Sequence, residues 1–372
     1  MDCSYTDYGM QELKERVCCV IPSLASGGME RVMATLVNGF VDYNIEEIHL
    51  ILYGSEREVF YKVDQRVIIH TPSFEFNNRF RTLNTVRTLF YLRKEIKRIR
   101  PKSVLSFGCF WNSFVLLATL GLHLSVYVSD RSSPNKKYSK VQSLLRRYLY
   151  PYAAGVIAQT SKAEDIYKKL YRNDNSIVIG NPINEIDTQE QYQQQNTIVS
   201  VGRLIATKHY DRLIKLFHEL NRPDWKLVIV GGDAQKQDRM KTLKEQIVSY
   251  GDPDNIILAG TQKNVPAYLK QSKIFAFTSS SEGFPNVIGE AMSAGLPVVS
   301  YNCVAGPSDL VEDGKTGFLV EPFDDESFKD RLLRLMDDES LRLSMGEAGK
   351  QKVKEFSAEE IIKRFYVFIT EK

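Results

Sequence analysis

Several patterns that would define a class of protein are missing from this 372-residue chain. It has five cysteines, an odd number, and no Cys-x-x-Cys pair, which argues against a disulfide framework and against a zinc site. None of its five histidines stands in a catalytic motif. Gly-x-Gly-x-x-Gly, the fingerprint of dinucleotide-binding domains, does not occur. We therefore expect the cysteines to be reduced thiols of an intracellular protein.

Long hydrophobic runs are lacking as well. The longest apolar stretch, residues 113–128, is interrupted by Ser, Thr, Gly and His and is too short for a membrane span. Residues 1–16 include acidic side chains and contain no apolar core of signal-peptide type. These features predict a cytoplasmic protein. A hydrophobic content of 43% over 372 residues is enough for two domains with separate cores.

The net charge is only +3, but it is distributed unevenly along the chain. Residues 1–180 carry 25 Lys and Arg against 17 Asp and Glu, which gives +8. The remaining 24 basic and 29 acidic residues give −5. This asymmetry indicates that the first half alone faces an anionic partner.

Short apolar runs of strand type alternate with helical patterns along the chain. Strands are expected at 16–22, 47–53, 67–70, 103–107, 123–129, 155–160 and 176–183, and then at 197–202, 225–232, 255–260, 274–279 and 296–301. Such alternation, occurring twice, predicts two α/β domains with parallel sheets of the doubly wound, Rossmann-like type. In these sheets ligands bind beyond the carboxyl ends of the strands.

The domain boundaries follow from the same pattern. We expect a first domain at 1–183, a polar, Gln-rich linker at 184–196 and a second domain at 197–355. A last helical segment, 356–372, is expected to pack back on the first domain.

In each predicted domain, a loop that contains glycine follows the first strand. Gly27 and Gly28 precede a helix, where small residues allow a ligand to approach the backbone and the helix N-terminus favours phosphate. A plain tight turn would also explain this pair. In the second domain, Gly202 is followed by Arg203 and Lys208, two cations suited to diphosphate oxygens, although ordinary surface charges are the alternative.

A third loop, in the segment SSSEGFPNVIGEAMSAG (279–295), contains two glutamates eight positions apart. Glu282 lies in the loop, and Glu290 lies about one and a half turns into a predicted helix. Pro285 suits the first helical turn, and Gly295 suits the position after its end. A helix cap at Glu282 and a solvated Glu290 would be the ordinary explanation, but two carboxylates around one turn favour a ligand site.

Taken in order, VGRLIATKHYDRLI (201–214) and SEGFPNVIGEAMSAGLPVVS (281–300) closely resemble motifs of the retaining nucleotide-sugar glycosyltransferases of family four, which have the GT-B fold. SGGMER resembles the first-domain glycine loop of that family, VIGNPI its interdomain hinge, and VEDGKTGFLVEP the stretch after the second glutamate. The resemblance covers nearly the whole chain and is strongest over 197–322.

The resemblance implies a role for each motif residue. Glu290 would accept hydrogen bonds from the nucleotide ribose, and Glu282 would hold a hydroxyl of the donor sugar. Arg203 and Lys208 would neutralise the departing diphosphate. The remaining expected donor contacts are the loop glycines and the turn between the glutamates: Gly27, Gly28, Gly202, Phe284, Pro285 and Asn286.

Retention in this family is explained without an enzyme nucleophile, since the acceptor hydroxyl attacks on the side from which the diphosphate leaves. Glu282 as a nucleophile is the less favoured alternative. Asp252-Pro253-Asp254 matches an Asp-x-Asp metal pattern by letter, but its Gly/Pro turn is typical of a capping loop. Neither a metal nor a separate cofactor is expected, and the donor is expected to be a UDP-sugar.

The chain departs from the family at one first-domain strand end. Many members have a histidine there, near the donor sugar, whereas this sequence reads YVSDRSSPNKKY with Asp130 and Arg131. These two residues are candidate replacements, and the identity of the donor sugar stays open.

Two basic segments of the first half suggest the acceptor. Residues 78–102 carry nine Lys and Arg against Glu95 alone, with an apolar side of Leu83, Val86, Leu89, Phe90, Ile96 and Ile99. Residues 136–152 are basic and aromatic. A solvated helix face is the ordinary explanation, but two such segments favour an anionic membrane surface or a lipid diphosphate. No nucleic-acid recognition motif is present.

The resemblance extends to enzymes that add N-acetylhexosamines to polyprenyl-diphosphate-linked glycans. It implies a peripheral enzyme of the inner membrane face in polysaccharide, lipopolysaccharide or capsule biosynthesis. Two other functions remain open on the same architecture, a sugar-nucleotide 2-epimerase and a non-catalytic two-domain sugar-binding protein. The scarcity of histidine argues against the former, and the absence of a signal-peptide pattern argues against the latter.

Overall fold

The computed structural model describes residues 15–43, 45–54, 59–186, 192–234, 237–251 and 254–371. Within these ranges the chain forms two parallel β-sheets with helices on both faces. The predicted architecture of two Rossmann-like domains is confirmed.

The first sheet has seven strands in the order β3-β2-β1-β4-β5-β6-β7. Its elements are β1 Arg16–Ile21, α1 Gly28–Phe40, β2 Glu47–Leu52, β3 Val67–His70, α2 Arg81–Ile99, β4 Ser103–Phe107, α3 Cys109–Thr119, β5 Ser125–Ser129, α4 Lys140–Leu149, β6 Gly155–Ala158, α5 Ser161–Tyr171 and β7 Ser176–Val178. The central strands are buried on both faces, which explains their continuous apolar character.

The second sheet has six strands in the order β10-β9-β8-β11-β12-β13. Its elements are β8 Thr197–Val201, α6 Tyr210–Leu220, β9 Lys226–Val230, α7 Arg239–Tyr250, β10 Ile256–Gly260, α8 Val265–Gln271, β11 Ile274–Phe277, α9 Asn286–Ser293, β12 Val298–Tyr301, α10 Pro307–Leu310, β13 Gly317–Val320, α11 Asp325–Asp337 and α12 Glu339–Val353. The final helix, α13, spans Ala358–Thr370.

Each sheet reverses its strand order at one place, between β1 and β4 and between β8 and β11. Loops that leave adjacent strands at such a point turn to opposite faces and open a crevice at the carboxyl edge. The Gly27–Gly28 loop follows β1, the loop with Arg203 and Lys208 follows β8, and Glu282 follows β11. Three of the predicted site loops therefore leave strands that border a reversal point.

The last helix returns to the first sheet. Phe365 lies against Phe107 of β4 with 5.9 Å between ring centroids, and Phe368 lies against Tyr127 of β5 at 5.3 Å. A Cβ atom on Gly39 of α1 would stand 2.3 Å from Ile362, so α1 and α13 approach each other closely. The first domain core thus includes residues from the far end of the chain.

The chain crosses between the domains near Ile183 and again near Phe356, and these crossings are joined by a hydrogen bond from Ile183 N to Phe356 O (2.8 Å). The ring of Phe284 packs against Phe356, and a Cβ atom on Gly180 would stand 2.7 Å from that ring. The hinge is therefore in contact with the turn between the two glutamates. Of the predicted linker, residues 187–191 lie outside the described ranges.

Local predictions differ from the structure in small ways. Pro285 is the N-cap of α9 rather than a residue of its first turn, while Gly295 follows the helix with φ +84°, as a residue after the helix end should. Two residues of the Asp252-Pro253-Asp254 segment lie outside the described ranges. Among the described helices, none is long and apolar enough to cross a membrane.

Candidate active site

A cavity of about 440 Å³ lies between the two domains. The second domain contributes residues that the sequence analysis singled out, namely Gly202, Arg203, Lys208 and Glu282. The first domain contributes Ser132, Ser133 and Lys136. The structure therefore brings the two cationic residues and the loop glutamate together in one cleft.

Lys208 and Glu282 form an ion pair in this cleft, with 2.6 Å between Nζ and Oε1. Their side chains are only 15% and 16% exposed, so the pair is shielded from water. The loops that carry them are also bonded to each other, because Thr278 donates its hydroxyl to the Lys208 carbonyl (2.8 Å). The pair holds the ammonium group at a defined position while a second cation, Arg203, remains exposed beside it.

Gly202 is required by the close packing of this loop. Its φ is +155°, and a Cβ atom there would stand 3.2 Å from Lys208 Cε and 2.8 Å from the Tyr210 hydroxyl. A Cβ atom on Gly231 would stand 1.9 Å from the Gly202 carbonyl oxygen. Side chains at either glycine would therefore displace the backbone that presents Arg203 and Lys208.

Glu290 lies on α9 and faces the first domain. Arg31 of α1 approaches it, with 3.5 Å between Nη1 and Oε1. Gly27 is the N-cap of α1 and exchanges hydrogen bonds with the Tyr61 hydroxyl, whereas open space surrounds the Cβ position of Gly28. The glycine loop and Glu290 are thus connected through Arg31, which sequence reasoning missed although it stands in the SGGMER motif.

Two of the three expected donor contacts in the turn between the glutamates have no free N–H group. Pro285 has none, and the Asn286 N–H is donated to the Phe284 carbonyl (3.0 Å). The Phe284 ring is buried against the hinge rather than directed into the cleft. These residues shape the turn, but in this structure the Asn286 N–H is not available to a phosphate.

Arg131 belongs to a network at the hinge. It donates from Nη1 to Asn181 Oδ1 (2.9 Å), which also accepts from Gln159 (2.8 Å), and Asn181 Nδ2 donates to Asn286 Oδ1 (2.8 Å). The Arg131 guanidinium lies 4.2 Å from the centroid of the Phe107 ring. Burial lowers the pKa of Arg131 to about 9, so it keeps its charge near neutral pH. Through Asn181, its side chain is thus connected to the turn between the two glutamates.

Asp130, one of the two candidate replacements for the family histidine, lies in the interior of the first domain. It is 1% exposed and forms a buried ion pair with Arg146 of α4. It also accepts hydrogen bonds from the Tyr150 hydroxyl (2.6 Å) and from Asn112 Nδ2 (2.9 Å). All of these partners belong to the first domain interior, so the Asp130 carboxylate is engaged there rather than directed into the cleft.

Comparison with known proteins agrees with this geometry. Residues 26–185 match the model named Glycosyltransferase Family 4, and residues 183–352 match the model named Glycosyl transferases group 1. The two matches meet at the hinge. The chain is a GT-B glycosyltransferase. Its two halves are domains of the Glycosyltransferase Family 4 and Glycosyl transferases group 1 families, which confirms the resemblance at the level of these families.

Relatives extend over almost the full length of the chain. An amylovoran biosynthesis glycosyltransferase of Erwinia amylovora is 26% identical over 91% of this chain and 95% of its own. A Campylobacter jejuni α-1,4-N-acetyl-D-galactosaminyltransferase, whose named acceptor is a glycan on PP-undecaprenol, is 25% identical over 96% and 98%. The fold is also that of Anabaena HepE in complex with UDP, with a TM-score of 0.78, 17% identity and coverage of 94% and 98%.

We predict that Asp130→Ala lowers the free energy of unfolding by about 3–5 kcal/mol, because it leaves the Arg146 charge buried without its partner. The double variant Asp130→Ala, Arg146→Met should be less destabilised than the single one. Chemical denaturation measures both, with exposed Asp165→Ala as the control. A stable Asp130→Ala protein with impaired donor binding would contradict this assignment.

Proposed function

We propose that this protein is a retaining, metal-independent glycosyltransferase that moves a sugar from a UDP-sugar to a glycan or lipid-linked acceptor at the cytoplasmic face of the membrane. The observation that carries the proposal is the shielded Lys208–Glu282 pair beside Arg203 in the interdomain cleft. Relatives in polysaccharide biosynthesis and in the extension of PP-undecaprenol-linked glycans support the acceptor class.

The cleft has the charges that a departing diphosphate requires. As the bond between the sugar anomeric carbon and the diphosphate oxygen breaks, negative charge grows on the leaving group. Lys208 is held in place by Glu282 and Arg203 lies exposed beside it, so both cations can stabilise this charge in the transition state. The acceptor hydroxyl forms the new bond on the same face and gives its proton to a phosphate oxygen.

Glu282 has two tasks in this proposal. Its pair with Lys208 orients the ammonium group before the donor arrives. The other carboxylate oxygen can accept a hydrogen bond from a hydroxyl group of the donor sugar. Glu290 receives the ribose hydroxyls on the other side of the turn. Its contact with Arg31 links nucleotide binding to α1 of the first domain, so donor binding would favour the closed cleft.

The first domain supplies a surface for an anionic membrane. Of the apolar side predicted for α2, Ile96 and Ile99 are buried, but Leu83, Val86 and Phe90 are exposed, Phe90 to 66%. Exposed Lys94 and Lys97 continue the same helix face by their spacing. Exposed apolar and cationic side chains on one face are typical of helices that lie in a membrane interface.

One cation of this helix has a different role. Arg93 donates from Nη1 to the carbonyls of Ala118 (2.9 Å) and Leu120 (2.8 Å), at the end of α3. It therefore stabilises the contact between two helices, and tests of membrane binding should leave it in place.

We expect Arg203→Ala and Lys208→Ala each to lower kcat about 10²- to 10³-fold, because each removes a charge aimed at the leaving diphosphate. Glu290→Gln should instead weaken UDP binding. Release of UDP from UDP-sugars, with and without acceptor, measures the first effect, and calorimetric titration with UDP measures the second. Lys244→Ala on the exposed face of α7 is the control. Normal turnover in folded Arg203 and Lys208 variants would refute their role.

Activity should persist in excess EDTA, since Arg203 and Lys208 are proposed to neutralise the diphosphate without a metal. UDP release is compared before and after chelation, and again after addition of Mg²⁺ or Mn²⁺. Loss with EDTA and recovery with either metal would contradict metal independence.

Lys94→Glu combined with Lys97→Glu should reduce flotation with anionic vesicles, since each basic residue near such a surface contributes about 1 kcal/mol. Phe90→Ser should reduce it by removing apolar contact. UDP release without acceptor should be unchanged in both proteins. Lys241→Glu with Lys244→Glu on α7 is the charge-matched control. Flotation equal to that of this control would show that α2 is an ordinary solvated helix.

A further inference from the structure

A second, larger cavity lies on the outer side of the first domain, between α4, α5 and the loop that precedes α4. Its volume is about 1170 Å³. That volume exceeds the usual range for a small-molecule site, which is roughly 300–1,000 Å³. The groove is therefore large enough for several units of an extended ligand.

The lining of this groove is strongly cationic. It includes Lys136, Lys137, Arg147, Lys169 and Arg172, and no Asp or Glu among the described residues. None of these five cations has a carboxylate partner within the described part of the chain. A sixth, Arg146, is neutralised by Asp130 beneath the groove. Five uncompensated positive charges around one concavity repel each other and attract an anion.

Aromatic side chains accompany the charges. Tyr148 and Tyr152 line the groove and are 65% and 73% exposed, so their ring faces are open to a ligand. Tyr138 packs on the Arg146 guanidinium, 4.4 Å from its ring centroid, and is part of the wall. Flat apolar faces among cations fit a saccharide that carries phosphate better than they fit a bare inorganic ion.

The groove adjoins the active-site cleft at one residue. Lys136 lines both cavities, on one side with Arg147 and Lys169 and on the other with Arg203 and Glu282. Its ammonium group lies 5.1 Å from the centroid of the Phe110 ring. A ligand bound along α4 and α5 would thus reach the cleft on the first-domain side, opposite the proposed donor contacts.

We infer that this groove binds the phosphate groups of the glycosyl acceptor and directs its sugar end past Lys136 into the cleft. The inference rests on the proposed glycosyltransferase function. The phosphate could belong to a lipid diphosphate or to a phosphodiester polymer, since both present the same oxygens to Lys and Arg. The surface for the membrane on α2 is a separate one.

The test removes groove charges that neither line the cleft nor pair with Asp130. The variant is Arg147→Gln, Lys169→Gln, Arg172→Gln. Its control, Lys241→Gln, Lys244→Gln, Lys263→Gln, makes the same change in charge on the second domain. The probes are farnesyl-diphospho-N-acetylgalactosamine, a poly(ribitol phosphate) oligomer, neutral farnesyl N-acetylgalactosaminide and phosphatidylglycerol vesicles.

Binding is measured by titration without donor. The wild-type protein should bind at least one phosphate probe 10-fold or more tightly than the neutral glycoside, and the probe it prefers identifies the source of the phosphate. The groove variant should lose at least 10-fold in affinity for that probe, while the control loses less than 2-fold. Binding of the neutral glycoside and flotation with vesicles should not change.

Three results would overturn the inference: no preference for either phosphate probe, equal affinity in the groove and control variants, or a loss confined to vesicles. The last would make the groove a membrane surface instead. UDP release from UDP-sugars is measured separately in the same proteins. If that release is absent while the groove still selects phosphate, the proposed enzymatic function fails and the binding site remains.

Discussion

The side chain of Asn181 joins the two domains at the place where the chain passes from one to the other. Its carbonyl oxygen accepts from Arg131 and Gln159 of the first domain, and its amide donates to Asn286 at the start of α9. An amide can accept and donate at once, so this one residue satisfies groups on both sides. This dual role holds the two cleft walls together at the hinge, next to the Ile183–Phe356 hydrogen bond and the Arg31–Glu290 contact.

Each wall of the cleft is rigid for a different reason. In the second domain, glycines allow backbone segments to pack at distances that any Cβ atom would prevent, and the Lys208–Glu282 pair is held between them. In the first domain, the strand end after β5 is fixed by the buried Asp130–Arg146 pair and by aromatic rings around Arg131. A site for glycosyl transfer benefits from such preorganisation, because little energy is then needed to orient dipoles during the reaction.

The sheets and most site loops could be predicted from the sequence, because their signals are local. Apolar runs at regular spacing define buried parallel strands, and Gly202, Arg203 and Lys208 lie within seven residues of one another. The pairing of charges whose partners lie elsewhere in the fold could not be predicted in this way. Asp130 was expected at the donor, but Arg146, which lies 16 residues further along the chain on α4, neutralises it. Arg93 is one of the nine basic residues of 78–102, but carbonyls at the end of α3 accept its hydrogen bonds. Composition gives no information on such long-range pairing.

The position of α13 has a consequence for how the protein is made. During synthesis the strands of the first sheet are complete at Val178, but the residues that cover β4 and β5, such as Phe365 and Phe368, follow about 190 residues later. At a translation rate of about 5–20 residues per second, that face of the first domain would stay uncovered for on the order of 10–40 s. The second domain, which has one hydrophobic cluster made entirely of its own residues, can begin to fold in that interval. The N-terminal domain would then be the last to reach its native state, and until α13 emerges from the ribosome its apolar face is a natural substrate for chaperones.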